Sequence, residues 1–212
     1  MNKRIFKYSA MQSGKSAQLI ALYYTAKSQH KELISIVPKF DTRTKQGYIS
    51  SRNGESIKAD ITTSDNIDIF RDRLENQILL KPSLKYVIID ECQFLSKEQV
   101  KLILDAIDIN YEEVTIIFTG LLKDYQNKVF PTSLYILEQA DTLEEVKSSC
   151  QYCVRKATCS LRLNNGKPIY NDPQGTNVLG DSNYVAVCHY HYKHPKISNK
   201  KNKTIYPFWN EV

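Results

Sequence analysis

The 212-residue chain has no apolar run near the ~18 residues that a membrane-spanning helix requires, which argues against a membrane partner. Its opening, Met1-Asn2-Lys3-Arg4-Ile5-Phe6, has too short an apolar stretch for a secretory signal, so the expected location is the cytoplasm. Cysteine is scarce, five residues in all, and in a reducing cytosol these thiols point to a metal or to burial, not to a disulfide framework. Internal repeats are absent. One glycine is also missing where a motif wants it, and that motif is the most informative part of the chain.

Residues 9–16 read Ser9-Ala10-Met11-Gln12-Ser13-Gly14-Lys15-Ser16, the pattern of a phosphate-cradling loop with serine in place of its first glycine. A strand, Ile5-Phe6-Lys7-Tyr8, leads in, and a helix with Leu19, Ile20, Leu22 and Tyr23 at near-helical spacing leads out. Backbone N–H groups at that helix start would face phosphate, favoured by the helix dipole. Lys15 suits the β- and γ-phosphates of a nucleoside triphosphate, and Ser16 suits Mg²⁺. A chance turn before an ordinary helix is the bland alternative, and a second motif weighs against it. Tyr86-Val87-Ile88-Ile89 has the character of a buried strand and ends in Asp90-Glu91-Cys92-Gln93-Phe94. A carboxylate at the C-terminal end of a central strand is where P-loop enzymes organise Mg²⁺, a role that suits Asp90, while Glu91 is available as a base.

Strands expected at 32–37 and 114–119 alternate with helices expected at 65–79 and from Ser96, where Glu98 and Gln99 are N-terminal-turn partners. This alternation implies an α/β fold with a parallel sheet covered on both faces. Residues 41–53, with Asp41-Thr42-Arg43, read as a loop over a site, and so does the following Ser51-Arg52-Asn53-Gly54. Around 140–150 the pattern changes to short strands, turns and cysteines. The expected division is 1–142 for nucleotide binding, 143–193 for a small cysteine-bearing domain, and 194–212 for a basic tail. Net charge is +6, and Lys193, Lys196, Lys200, Lys201 and Lys203 carry much of the excess; a solvated tail is preferred to a polyanion-binding one.

Cys150-x-x-Cys153 and Cys188-x-x-His191 are two short-spaced ligand pairs separated by a loop, the arrangement of a closed, tetrahedral zinc ribbon. His189 or His194 could compete with His191, and Cys159 with the thiols, but neither choice keeps both pairs intact. Cys92 and Cys159 read as small core residues.

Taken together, these residues resemble the type II thymidine kinases, from Ile5 to about Tyr192. Tyr8-Ser9-Ala10-Met11-x-x-Gly14-Lys15-Ser16 is similar to the bacterial form of that family's P-loop, where serine at the first position is familiar. The resemblance implies a RecA-like P-loop domain with a small zinc-ribbon-like "lasso" domain. It further implies transfer of the γ-phosphate of ATP to the 5′-hydroxyl of thymidine or deoxyuridine, in nucleotide salvage for DNA synthesis. Glu91 would take the hydroxyl proton, and Ser16 and Asp90 would hold Mg²⁺. Residues 9–16, Arg43, Asp90 and Gln93 would serve ATP. Met11, Phe94, Leu121, Tyr125, Phe130, Ser160, Val178 and Tyr184 would surround thymidine, Tyr125 standing where phenylalanine is usual. Cys150, Cys153, Cys188 and His191 map onto structural zinc ligands. A homotetramer and feedback inhibition by dTTP are implied by the resemblance alone.

Two other readings compete. Asp-Glu-x-Gln after a strand also resembles nucleic-acid-dependent ATPases, in which Glu91 would activate water, but such helicases need a second large lobe for which this chain has no room. A zinc-ribbon binding module would leave Lys15, Ser16, Asp90 and Glu91 unexplained. The expectation is therefore a kinase with no nucleic-acid partner.

Overall fold

The computed structural model describes residues 1–39, 46–171 and 184–195. Six strands form the main sheet in the order β5-β2-β6-β7-β1-β8. They are β1 (Lys3–Ser9), β2 (Glu32–Val37), β5 (Ile61–Thr62), β6 (Leu84–Ile89), β7 (Thr115–Leu121) and β8 (Thr142–Glu145). Every neighbouring pair runs parallel. All their C-terminal ends therefore share one edge, where ligands bind in sheets of this kind.

The strands explain their own burial. Side chains alternate across a pleated sheet, so residues two apart share a face. Ile5, Leu33, Val37, Ile88 and Ile117 meet Leu19, Ile20 and Ala26 of α1 (Lys15–Ser28). Their neighbours Phe6, Ile34, Ile36, Val87, Ile89, Ile116 and Phe118 belong to a second core with α2 (Ile67–Leu80), α3 (Lys97–Asn110) and α4 (Pro131–Gln139). Both faces are covered, as a parallel sheet requires.

Local signals set the helix starts. Ser96 and Gln99 form a reciprocal capping box on α3, so Gln99 takes the partner role. Asn66 caps α2 by accepting from the N–H groups of Asp68 and Ile69. Pro131 sits in the first turn of α4, where its missing N–H costs nothing. The stretch expected to be a loop over the site contains β3 (Tyr48–Ser50) and the turn of a short hairpin that β4 (Ser56–Lys58) completes just beyond it. The hairpin is held to the α1 face by buried Ile49 and Ile57. Residues 40–45, with Asp41-Thr42-Arg43, lie outside the described residues, as do Val178 and the lysines of the tail beyond 195.

The expected boundary at 142/143 falls at the start of β8, which pairs with β1. Beyond it, β9 (Cys159–Asn164) lies between β10 (Lys167–Ile169) and β11 (Tyr184–Val187), antiparallel to both. Asn165 and Gly166, with φ of 50° and 78°, make the two-residue turn between β9 and β10. Cys188 precedes the short helix α5 (His189–Lys193).

Cys150, Cys153, Cys188 and His191 converge so that their ligand atoms all lie within 4.8 Å of one another. The His191 Nδ1 is 3.4 Å from the Sγ of both Cys150 and Cys188, and Cys153 Sγ is 3.8 Å from Cys188 Sγ. Zinc–sulfur bonds of ~2.3 Å and zinc–nitrogen bonds of ~2.1 Å give tetrahedral edges of about 3.5–3.8 Å, so this set fits a closed zinc site. Cys159 and His189 stand apart as a separate contact of 3.8 Å, and Cys92 is buried in the main core. The small unit's core is built around the same thiols, with Leu161 and Val187. Metal removal is therefore expected to loosen residues 150–191 before the main sheet, because binding energy in such sites is folding energy. Elemental analysis should give about one zinc per chain, lowered by Cys153→Ser. Hydrogen exchange after chelation should accelerate first in β9 and β11; equal acceleration in β6 and β7 would contradict this assignment.

Candidate active site

Phosphate-loop residues leave β1 at the shared edge of the sheet. Gln12 and Gly14 adopt positive φ of 64° and 83°, and Gly14 is the residue that caps α1. Left-handed backbone at these points turns the chain sharply enough to set the first helical N–H groups toward the cleft. Lys15 is only 7% exposed. Its Nζ donates to Ser9 Oγ at 2.6 Å and to Ser13 Oγ at 3.3 Å, and Ser9 Oγ also contacts Ser13 Oγ at 2.5 Å. The serine in place of glycine thus contributes a hydroxyl to the loop's own lattice of bonds.

Asp90 joins three elements. One carboxylate oxygen accepts from Ser16 Oγ of α1 at 2.7 Å; the other accepts from Thr119 Oγ1 of β7 at 2.7 Å and from the Glu91 N–H at 3.0 Å. Thr119 is a site residue that sequence reasoning missed, because a threonine inside a strand has no motif to mark it. The oxygens of Ser16 and Asp90 are the hard donors that Mg²⁺ prefers, so they fit that ion in type. Burial, then repulsion from Glu91, push the Asp90 carboxyl up to about 6, against the bonds from Thr119 and Ser16 and the charge of Lys15.

Glu91 follows with φ 49° and ψ 42°, a left-handed conformation uncommon outside glycine, at the entry to the 3₁₀ turn Cys92–Phe94. Its Oε2 accepts from Gln93 Nε2 at 2.5 Å. Gln93, expected among the phosphate-binding residues, is buried behind Glu91, its Oε1 accepting from the Leu121 N–H at 2.9 Å.

A cleft of about 570 Å³ opens over these groups, lined by residues 11–17, Ser50–Asn53 of the β3–β4 hairpin, Asp90, Glu91 and Leu121. Of the expected base-binding residues, Met11 and Leu121 line this cleft. Met11, Leu121, Tyr125 and Tyr184 form a buried cluster with Phe130 and Ile169 against it. Phe94 meets Phe130 edge-on at 6.2 Å. Ser160 accepts from the Met11 N–H at 3.4 Å, and Gln12 Nε2 donates to the Tyr184 carbonyl at 3.2 Å, so the small unit grips the phosphate loop directly. Tyr125 is 2% exposed, its ring flanked by Tyr184 and by the Arg162 guanidinium at 5.4 Å. Arg162 was outside the expected site set.

An ionised Asp90 costs stability wherever its folded pKa exceeds its unfolded one. That cost is complete above pH 6, shrinks as pH falls through the window to 3.8, and is absent below it. Its size is on the order of 2–3 kcal/mol. Asp90→Asn should therefore raise the melting temperature of the Mg²⁺- and nucleotide-free protein at pH 8, with the gain fading between pH 6 and 4. Thermal melts across that range check it, and a variant less stable than the parent at pH 8 would contradict the electrostatic reading.

The family profile described as thymidine kinase matches residues 3–192. The chain is 37% identical to a thymidine kinase of Streptococcus agalactiae serotype Ia over 198 residues, spanning 93% of this chain and all of that protein. The thymidine kinase of Streptococcus pyogenes serotype M6 is 38% identical over the same shares. A crystal structure of Bacteroides Pif1 bound to ssDNA aligns with 68% of this chain and 38% of that one at 16% identity, but its TM-score of 0.36 supports no conclusion. With a site of the expected composition and relatives matched along their whole length, the chain belongs to the thymidine kinase family.

Proposed function

We propose that the cleft transfers the γ-phosphoryl group of ATP to the 5′-hydroxyl of thymidine, with Glu91 as the base that accepts the hydroxyl proton. The kinase activity toward thymidine, a salvage reaction, follows from the family and from relatives bearing that name over 93% of the chain. The residue roles rest chiefly on one observation: the phosphate loop, Asp90 and Glu91 line a single cleft whose far wall is Leu121 and Met11. The phosphate loop would hold the triphosphate through its backbone N–H groups and Lys15. Ser16 and Asp90 would hold Mg²⁺, which supplies charge neutralisation at the phosphates when bound. Glu91 would sit between the transferred group and the nucleoside. Arg43 would add positive charge to the phosphates, on grounds of resemblance. Contacts from Ser160 and Tyr184 to the phosphate loop would let base binding and phosphate binding support one another. Closing the site favours transfer to an alcohol over water.

The same family grounds support a cytoplasmic homotetramer inhibited by dTTP. Among the described residues no helix is long and apolar enough to cross a membrane.

Glu91→Gln keeps size but cannot accept the proton. It should lower kcat by about 10²–10⁴ while ATP binding stays near normal. Retention of full turnover would remove Glu91 from the base role.

Thymidine should be preferred to deoxycytidine by as much as about 10⁴ in kcat/KM, because cytosine presents a donor where thymine presents an acceptor and would leave buried groups unpaired. Deoxyuridine, short of one methyl against Met11 and Leu121, should lose only about 1 kcal/mol and remain a substrate. Comparable kcat/KM values for deoxycytidine and thymidine would overturn this account of the base site.

A further inference from the structure

Gln93 holds a position that the transfer reaction does not explain. Its side chain is 4% exposed, and both ends of its amide are engaged. The Leu121 N–H on β7 can only donate, so it selects Oε1 at 2.9 Å and leaves Nε2 as the sole end that can turn to Glu91, which it reaches at 2.5 Å. The two bonds thereby fix the amide's orientation without ambiguity.

The neighbouring backbone makes room for this arrangement. A Cβ on Gly120 would fall 2.5 Å from Gln93 Oε1 and 2.7 Å from Cys92 Sγ. Gly120 has no left-handed φ that would call for glycine, so space for the amide and the thiol is what glycine supplies there. The chain thus devotes a strand N–H, a glycine and a buried amide to one carboxylate oxygen.

Glu91 needs such support. Its backbone is left-handed, a conformation that persists only where surroundings enforce it. The carboxylate stands next to buried Asp90, which repels it, and a freely rotating side chain would turn away toward solvent. A charge-assisted bond from Gln93 opposes that turn.

We infer that Gln93 is a positioning residue: it ties the Glu91 carboxylate to the end of β7 and holds it at the angle from which it can take the nucleoside's proton. Its work is done through Glu91 and not by touching phosphate. The inference rests on the reading of Glu91 as base.

A double-mutant cycle tests it on the full-length, zinc-loaded enzyme with ATP and thymidine. Gln93→Met conserves volume and removes both bonds. Gln93→Glu keeps an acceptor for the Leu121 N–H, removes the donor to Glu91 and sets a second carboxylate against it. In either variant kcat should fall about 10–100-fold, with the KM for ATP within about twofold of the parent. In a Glu91→Gln background the same substitutions should change kcat less than about twofold, since no carboxylate is left to position.

Unchanged kcat in Gln93→Glu, or an equal fall in both backgrounds, would overturn the inference while leaving Glu91 as base. A raised KM for ATP with kcat intact would return Gln93 to the phosphate site and also overturn it. Near-normal turnover of Glu91→Gln alone would instead overturn the reading on which the inference depends. Should Gln93→Met melt far below the parent, Gln93→Glu is read only as the difference between the two backgrounds, since it keeps the anchor to β7 and its added charge faces no carboxylate in Glu91→Gln.

Discussion

A single buried carboxylate ties the C-terminal edge of this sheet together. Asp90 ends β6, reaches Ser16 in the first turn of α1 and Thr119 on β7, and so links the phosphate loop to the two central strands. Removing a carboxylate from water is costly, and three donors together do not cancel that cost, since the group holds its proton to a higher pH than an exposed aspartate does. The neighbouring Glu91 adds a left-handed backbone conformation to the same few residues. Strain and desolvation concentrated in this way mark a place where the fold gives up stability for chemistry. Hydrophobic faces on both sides of the sheet carry the fold, and their close packing leaves the strand ends free to be specialised.

Much of this was legible because the signals were redundant. Ile5 with Phe6, Val87 with Ile88, and Ile116 with Ile117 alternate between two cores, and an unbroken apolar run is how a doubly covered strand reads in sequence. The phosphate loop carries its own context of strand and helix. The zinc ligands come as two pairs whose spacing constrains them, and the structure brings the four together.

What was not legible lacks a local signature. β8, Thr142-Leu143-Glu144-Glu145, lies where short strands are expected, but nothing in so short and polar a segment shows that it joins the main sheet; pairing with the edge of β1 puts it there. The β3–β4 hairpin is fixed by Ile49 and Ile57 packing on α1, a contact of the tertiary fold. Thr119 and Gln93 gain their places from partners on other elements, Asp90 and Leu121, 29 and 28 residues distant in sequence. A glutamine beside an acidic motif looks like one more ligand for phosphate. Only the structure shows that its amide is engaged at both ends, by the Leu121 N–H and by Glu91.

The small unit is joined to the large one through the phosphate loop itself, and this has a consequence for how the two substrates communicate. Met11 donates its N–H to Ser160 of β9, Gln12 reaches the carbonyl of Tyr184 at the start of β11, and Tyr192 donates its hydroxyl to the carbonyl of Tyr125. Met11 also contributes its side chain to the aromatic cluster with Leu121, Tyr125 and Tyr184. One residue therefore lies in the phosphate loop, in the apolar cluster and in the seam to the zinc-ligand unit. β9 and β11 thus contact the phosphate loop at Met11 and at the next residue, Gln12, where its left-handed turn begins. Under the proposed reading, coupling between nucleoside and triphosphate would need no long pathway, because Met11 belongs to both the phosphate loop and the apolar cluster. Two of the four candidate metal ligands, Cys188 and His191, follow directly on β11, so the cluster and the seam to the phosphate loop lie on the same strand.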